Sequence, residues 1–362
     1  MWLISEVKSK VQNVHSNYEN SNRNISLDIL KGIAIFCVVW GHFIQQGTLC
    51  DIAYKENPIF QLIYSFHMPL FMLISGYLMY QSINKRTVIQ QWVHWCKNLI
   101  LPLITWTFIA NIFIIVYAYI TTNSIPPVGL TNAYQYWFII SLLLCGFITT
   151  VIKRICNDKT WIYLILTLVL FTTTFNLFSI GWMFPFFTAG YLLNKHSTKI
   201  QIHFKKLAFI SIIVFPALLM FYNDTSITYI SIFNTGGFLT RGEYLMNMGV
   251  WIEAIPHNLY KVLTGFAGCG FMYGIVKTMQ KLNLHTLTAI LAWFGTYSLV
   301  IYFIQRIIIE ILFGRYLFAS NIWVYDFIFT LVLAIISTLI FAWFGTCIKK
   351  NKILNTILCG GR

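Results

Sequence analysis

Eight runs of apolar residues, near 28–46, 59–80, 99–120, 134–152, 207–222, 259–276, 287–312 and 323–348, are bounded by polar positions along the chain. Each approaches the length of helix, about 20 residues at 1.5 Å per residue, that crosses a hydrocarbon core of about 30 Å. The stretch from Trp161 to Asn194 is too long for one crossing and contains a turn-like region from Asn176 to Gly181, so it reads as two shorter helices. The pattern predicts an all-α polytopic membrane bundle of about ten transmembrane helices. It forms a single domain at 26–350, between a cytoplasmic N-terminal tail at 1–25 and a cytoplasmic C-terminal tail at 351–362. No repeat of fixed period interrupts it.

Charge between the runs sets the orientation. Lys8, Lys10 and Arg23, then Lys85, Arg86 and Lys97, then Lys153, Arg154 and Lys159 fall on one side, followed there by Lys195, Lys199, Lys205 and Lys206, Lys277 and Lys281, and Lys349, Lys350, Lys352 and Arg362. Only Lys55, Arg241, Lys261 and Arg315 fall on the other side. By the positive-inside rule both termini are cytoplasmic, as an even number of spans requires. The longest outer connection, Asn223 to Asn258, carries Gly236-Gly237, Arg241, Glu243, Glu253 and His257, and reads either as a binding lid or as a solvated linker.

Composition narrows the class. With 58% hydrophobic and 10% charged residues, the chain lies outside the soluble range, so its main partner is the lipid bilayer. A net charge of +14 would point to nucleic acid in a soluble chain, but the loops absorb it and no nucleic-acid partner is implied. The first 24 residues lack the apolar core of a signal peptide. The eight cysteines form no CxxC pair, and only Cys50 falls in an outer loop, which argues against structural disulfides and against a zinc or other metal site. Nothing in the sequence sets the oligomeric state.

Against this background the first span is anomalous. Its apolar run carries Asp28, Lys31 and His42, and ionisable side chains inside membrane helices are costly and mark pathways or sites. At about 100° per residue the three share one stripe, with Lys31 and His42 about 16 Å apart along the axis. They cannot touch, so the stripe suits an elongated substrate lying along the helix. The plainer reading is an Asp28–Lys31 ion pair at the inner mouth and a wetted His42 at the outer end.

The second span enters from the outside and reads Phe66-His67-Met68-Pro69-Leu70-Phe71, then Ser75-Gly76-Tyr77-Leu78. His67 lies about 12 Å and His42 about 6 Å from their outer helix ends, so both can face one cavity. The alternative for His67 is a hydrogen-bonded structural residue. Pro69 removes a backbone donor and is expected to kink the span. Ser75 and Gly76 lie near the level of Lys31, where a glycine also lets helices approach closely.

The Lys31-x10-His42 spacing, with Asp28 before it and Gly32 after the lysine, resembles the Arg-x10-His signature of the membrane-bound acyltransferase-3 family, within its fucose O-acetyltransferase-like branch. Lysine in place of arginine keeps the charge and loses the planar fork that grips phosphate. The HMPLF and SGYL strings are also similar to those that follow the first helix in that family. Weaker likeness covers Lys97 to Pro102, Tyr136-Trp137-Phe138, Phe186 to Leu192 and Tyr297 to Phe303. One departure follows Tyr302, where the family commonly has a histidine and this chain has Gln305 and Arg306. Arg306 is then an intramembrane cation in need of a partner, which Glu310 can supply one turn later.

The resemblance implies an integral membrane O-acyltransferase that moves an acetyl group from cytoplasmic acetyl-CoA to a hydroxyl of a carbohydrate acceptor, a surface polysaccharide or lipid-linked sugar, in the bacterial inner membrane. Lys31 then holds the donor, and His42 acts as general base or is transiently acetylated, with Asp28 balancing Lys31. His67, Ser75, Trp137 and Arg306 become candidate substrate contacts, although Trp137 also fits an interfacial aromatic belt. Lys85, Arg86 and Lys97, near His94, are candidate phosphate contacts, although the positive-inside rule alone would put them there. Two other classes compete. A transporter or exporter of lipid-linked sugar predicts paired interrupted helices in two related halves, which the sequence does not display. A scaffold in polysaccharide assembly leaves the charged stripe without a purpose.

Overall fold

The computed structural model describes residues 24–47, 53–172, 177–230, 248–313 and 324–361, and no strand occurs among them. The N-terminal 23 residues, Cys50 and the middle of the long outer connection, with Gly236, Arg241 and Glu243, lie outside the described residues.

The charged stripe runs along α1 (Ile25–Gly47). Asn57 starts α2 (Pro58–Asn84) by accepting from the amides of Ile59 and Phe60 at 2.8 and 3.1 Å, with Pro58 in the first turn where no amide is needed. A Thr87–Gln90 capping box opens α3 (Val88–Trp95), which continues through a π-helical turn at Cys96–Ile100 into α4 (Leu101–Thr122). That wider turn sits where Pro102 lacks an amide and its ring would crowd the preceding turn. Three helices follow, α5 (Trp137–Ile155), α6 (Thr160–Thr172) and α7 (Ile180–Lys195), and then α8 (Ser197–Leu219). Beyond the outer connection come α9 (Met248–Lys281), α10 (His285–Thr296) and α11 (Ser298–Gln305), the last running into a π-helical stretch at Arg306–Phe313. The chain closes with α12 (Thr330–Lys350) and α13 (Lys352–Cys359).

Among the described residues, six helices are long and apolar enough to cross a membrane, or seven if α10 and α11, bent by 68° at their junction, count as one span. This differs from the ten expected. The α6 helix has 13 residues, about 20 Å, and α7 has 16, about 24 Å, both short of the hydrocarbon thickness. The apolar part of α8 is confined to Lys206–Leu219. Burial explains how α7 remains stable at that length: Ile180, Met183, Phe184, Phe186, Phe187 and Tyr191 are at most 3% exposed. A helix surrounded by protein need not match the bilayer.

Glycines set the closest packing. A Cβ on Gly32 would run into the Leu291 backbone, and one on Gly295 into the backbone of Asp28, so α1 and α10 touch main chain to main chain. Gly76 and Gly190 do the same for α2 and α7, against the carbonyls of Phe187 and Leu73. Between membrane helices, where apolar burial adds little, such contact carries much of the stability. Gly190→Val is therefore expected to deplete the protein from membranes. Overpacking typically costs about 1–3 kcal/mol, and here the obstacle is backbone. Gly274→Ala, whose Cβ would meet only an Ala208 carbonyl at 3.9 Å, should leave abundance unchanged. Quantitative blots of the membrane fraction make the comparison.

The described start of the outer connection is strapped to α9. The Asn258 side chain accepts from the Ile230 amide at 3.0 Å and donates to its carbonyl at 2.9 Å, and Lys261 donates to the Ile227 carbonyl at 2.5 Å. At the other end of the chain, residues 352–359, expected as tail, form α13 against α4, where the Trp106 indole donates to the Leu358 carbonyl at 3.0 Å.

Candidate active site

Two polar clusters stand on α1, one at each end of the charged stripe. At the first, His42 Nδ1 lies 3.3 Å from Glu310 Oε1, with the two side chains 21% and 11% exposed. The approach is within ion-pair range but lacks hydrogen-bond alignment. Arg306 pairs with the other oxygen of Glu310 and donates to the Gln135 side-chain carbonyl. Both charged residues sit in the π-helical stretch, a widened helical form that concentrates at functional sites. A carboxylate only accepts, so closing this approach into a hydrogen bond would require the His42 proton on Nδ1 and leave the lone pair on Nε2.

His67 is 3% exposed, and its Nδ1 donates to the Ile63 carbonyl at 2.6 Å while the ring packs edge-on against Tyr64. The hydrogen bond fixes the tautomer with Nε2 as acceptor. Trp137 begins α5 with its ring 6.5 Å from that of Trp182, one residue after Tyr136 and two after Gln135. Gln305 turns into the core at 2% exposure and donates to the Tyr302 carbonyl at 3.3 Å, so it is the neighbouring Arg306 that reaches the His42 cluster.

At the other end, Lys31 Nζ lies 3.4 Å from Asp28 Oδ1, with Lys31 22% exposed and Asp28 3%. Lys31 also lines a cavity of about 390 Å³, together with Ser75, His94 and Lys349. That volume is in the range of small-molecule sites. The wall includes the junction at Thr296, Tyr297 and Ser298, where the bend between α10 and α11 turns irregular backbone toward the space. Lys349 lies over the Tyr297 ring, 4.8 Å from its centre. Ile35, Met68 and Tyr302 belong to the same wall, so the cavity ends about two helical turns from His42 on α1 and one residue from His67.

Three of the expected phosphate contacts lie elsewhere. Lys85 is exposed at the C-terminal cap of α2, and Lys97 points outward beside Gly361. Arg86 donates to Ser82 Oγ at 2.7 Å and so touches the cavity wall only through that serine. The basic residues in the wall are instead Lys31, His94 and Lys349.

The model of the acyltransferase domain of the acyltransferase-3 family matches residues 24–347, nearly the whole of the chain, including Asp28, Lys31, His42, Arg306 and Glu310. The chain belongs to that family. Among curated proteins, nodulation protein NolL of Mesorhizobium japonicum is 42% identical over 90 residues, which is 24% of this chain and 23% of that protein. Nodulation protein NolL of Sinorhizobium fredii is 27% identical over 187 residues, 48% of this chain and 50% of that protein. The matches thus span half or less of the relatives' length. No solved structure matches the chain.

Membership places the chain in a family defined by an acyltransferase domain, and six or seven of its described helices are long and apolar enough to cross a membrane. Sequence reasoning paired Arg306 with Glu310 but did not bring either to His42, and it took Lys349 for a topology lysine. A signal for the first was present, since Glu310 is an acidic residue within an apolar run. No local signal existed for the second.

Proposed function

We propose that this acyltransferase-3 protein moves an acetyl group from cytoplasmic acetyl-CoA to a hydroxyl of a surface polysaccharide or lipid-linked sugar, in a bacterial inner membrane with both chain termini cytoplasmic. The observation that carries the reading is the disposition of α1: Lys31 opens on a cavity of ligand size, and His42, about 16 Å along the same helix, meets a carboxylate. A pantetheine arm is long and narrow enough for such a path. Lys31 and Lys349 supply positive charge for the donor's phosphates, and His94 and the hydroxyl of Ser75 line the same space.

In this reading the acceptor hydroxyl lies against His42 Nε2. As its oxygen attacks the thioester carbonyl, Nε2 takes the hydroxyl proton. Collapse of the tetrahedral intermediate breaks the carbon–sulfur bond, and the imidazolium returns the proton to the departing thiolate. Glu310 orients the ring and offers a carboxylate oxygen to the imidazolium, while Arg306 pairs with the other oxygen of Glu310. His67 and Trp137 border the acceptor.

Mass spectrometry of surface glycans from cells with and without the protein tests the proposal. The expected result is a base-labile mass of one acetyl ester that depends on the protein, and identical glycans would overturn it. Donor binding has its own test. Lys31→Arg should keep most activity, whereas Lys31→Ala should raise the KM for acetyl-CoA about tenfold, the scale of one charge-assisted contact. The Asp28→Asn, Lys31→Met double variant should recover membrane abundance without recovering donor affinity. Recovery of both would reduce Lys31 to half of a structural pair.

A further inference from the structure

A second cavity, of about 250 Å³, lies behind the first between α1, α2, the α7–α8 junction and α9. Its deep walls are apolar: Leu30, Leu70, Ile74 and Cys269 line it and are each at most 5% exposed. Its polar residues gather at one end, where Asn24 precedes α1, Ser197 begins α8 and Lys277 stands near the end of α9. Lys277 is exposed there, donating to Ser26 Oγ at 3.0 Å and to Gln280 Oε1 at 3.2 Å, above the Tyr273 ring.

We infer that this cavity takes one fatty acyl chain of a membrane phospholipid, with the headgroup phosphate on Lys277. The gradient from a cationic mouth at the helix ends to an apolar floor near the middle of α2 is that of a lipid in its own leaflet, head at the interface and tail in the core. Beyond Asn24, Ser26, Ser197 and Lys277, a soluble metabolite would meet only the tyrosines Tyr77 and Tyr273 as hydrogen-bonding side chains of the lining. The volume falls under the about 300–1,000 Å³ that holds a whole small-molecule ligand, so it takes part of one chain and not two chains. A primary ammonium among hydroxyls recognises a phosphodiester as a point charge with hydrogen-bond support.

The position also links the lipid to the donor cavity. Leu30, Leu70 and Ile74 face the second cavity, and their chain neighbours Lys31, Phe71 and Ser75 face the first. One helix thickness separates the two, so an acyl chain in place braces the wall that carries Lys31 and Ser75. The assignment of the second cavity does not depend on the identity of the donor.

Native mass spectrometry of the full chain, purified in detergent and titrated with palmitoyl-oleoyl phosphatidylglycerol, tests the inference. Wild type should retain one phospholipid per chain. Lys277→Ala, an exposed substitution that spares the packing, should lower that occupancy about tenfold, as expected for one charge-assisted contact. Leu193→Trp, which fills the space from its half-buried edge, should abolish retention while thermal melting shows the fold intact. Equal retention in wild type and Lys277→Ala would overturn the inference. So would glycerol 3-phosphate binding as tightly as the lipid, since the headgroup alone would then suffice. Displacement of the lipid by coenzyme A would also overturn it, making the second cavity an arm of the donor site.

Discussion

His42→Ala is expected to abolish acyl transfer while leaving the protein in the membrane at its normal level. The imidazole is the base that our reading places at the acceptor hydroxyl, and a positioned base contributes about 10²–10⁴ in rate. Neither Lys31 nor Ser75 can replace it, because Lys31 lies about three turns away at the other end of α1 and Ser75, on α2, shares the cavity with Lys31 and not the His42 cluster. Truncation removes no backbone bond, and the lost partner is a Glu310 that keeps its pair with Arg306. The measurement is acetyl transfer in membranes normalised to protein abundance. His42→Gln should be as inactive as the alanine variant, since an amide occupies the space but cannot take a proton near neutral pH. Substantial turnover in either variant would sink the mechanism.

Glu310→Gln should lower transfer about hundredfold or more and also reduce abundance. The catalytic part arises because an amide can present its N–H to His42, favouring the tautomer that puts the lone pair on Nδ1 and the proton on Nε2. The structural part arises because Arg306, 20% exposed, loses its carboxylate, and breaking a buried ion pair typically costs about 3–5 kcal/mol. The two parts separate in the double variant Arg306→Met, Glu310→Gln. Without an uncompensated guanidinium its abundance should recover, and its activity should not. If activity returned with abundance, Glu310 would be only a counter-ion for Arg306. Comparing kcat and KM in the same series adds a check, because loss of an oriented base lowers kcat and leaves acetyl-CoA affinity near wild type.

The sequence by itself determined the class of molecule and the helix on which the polar chemistry stands. Long apolar runs admit few structures other than membrane helices, and a stripe of charge within one of them is visible because side chains on a helix recur every 3.6 residues. Local chemistry was equally legible where neighbours in sequence are neighbours in space: the Asp28–Lys31 pair, three residues apart, and the Arg306–Glu310 pair, four apart, both form. Tertiary structure decided everything that depends on packing between distant segments. Glu310 meets His42 because a π-helical stretch late in the chain is set against α1, and no periodicity in either segment encodes that encounter. Lys349 joins the cavity because the end of α12 packs at the α10–α11 junction, with its ammonium over the Tyr297 ring, whereas Lys85 and Lys97, nearer in sequence to Ser75, are exposed. The difference between ten expected spans and the six or seven helices long enough among the described residues has the same reason. Hydropathy measures how well a segment tolerates lipid, and α7 is instead enclosed by protein, where its short length costs nothing.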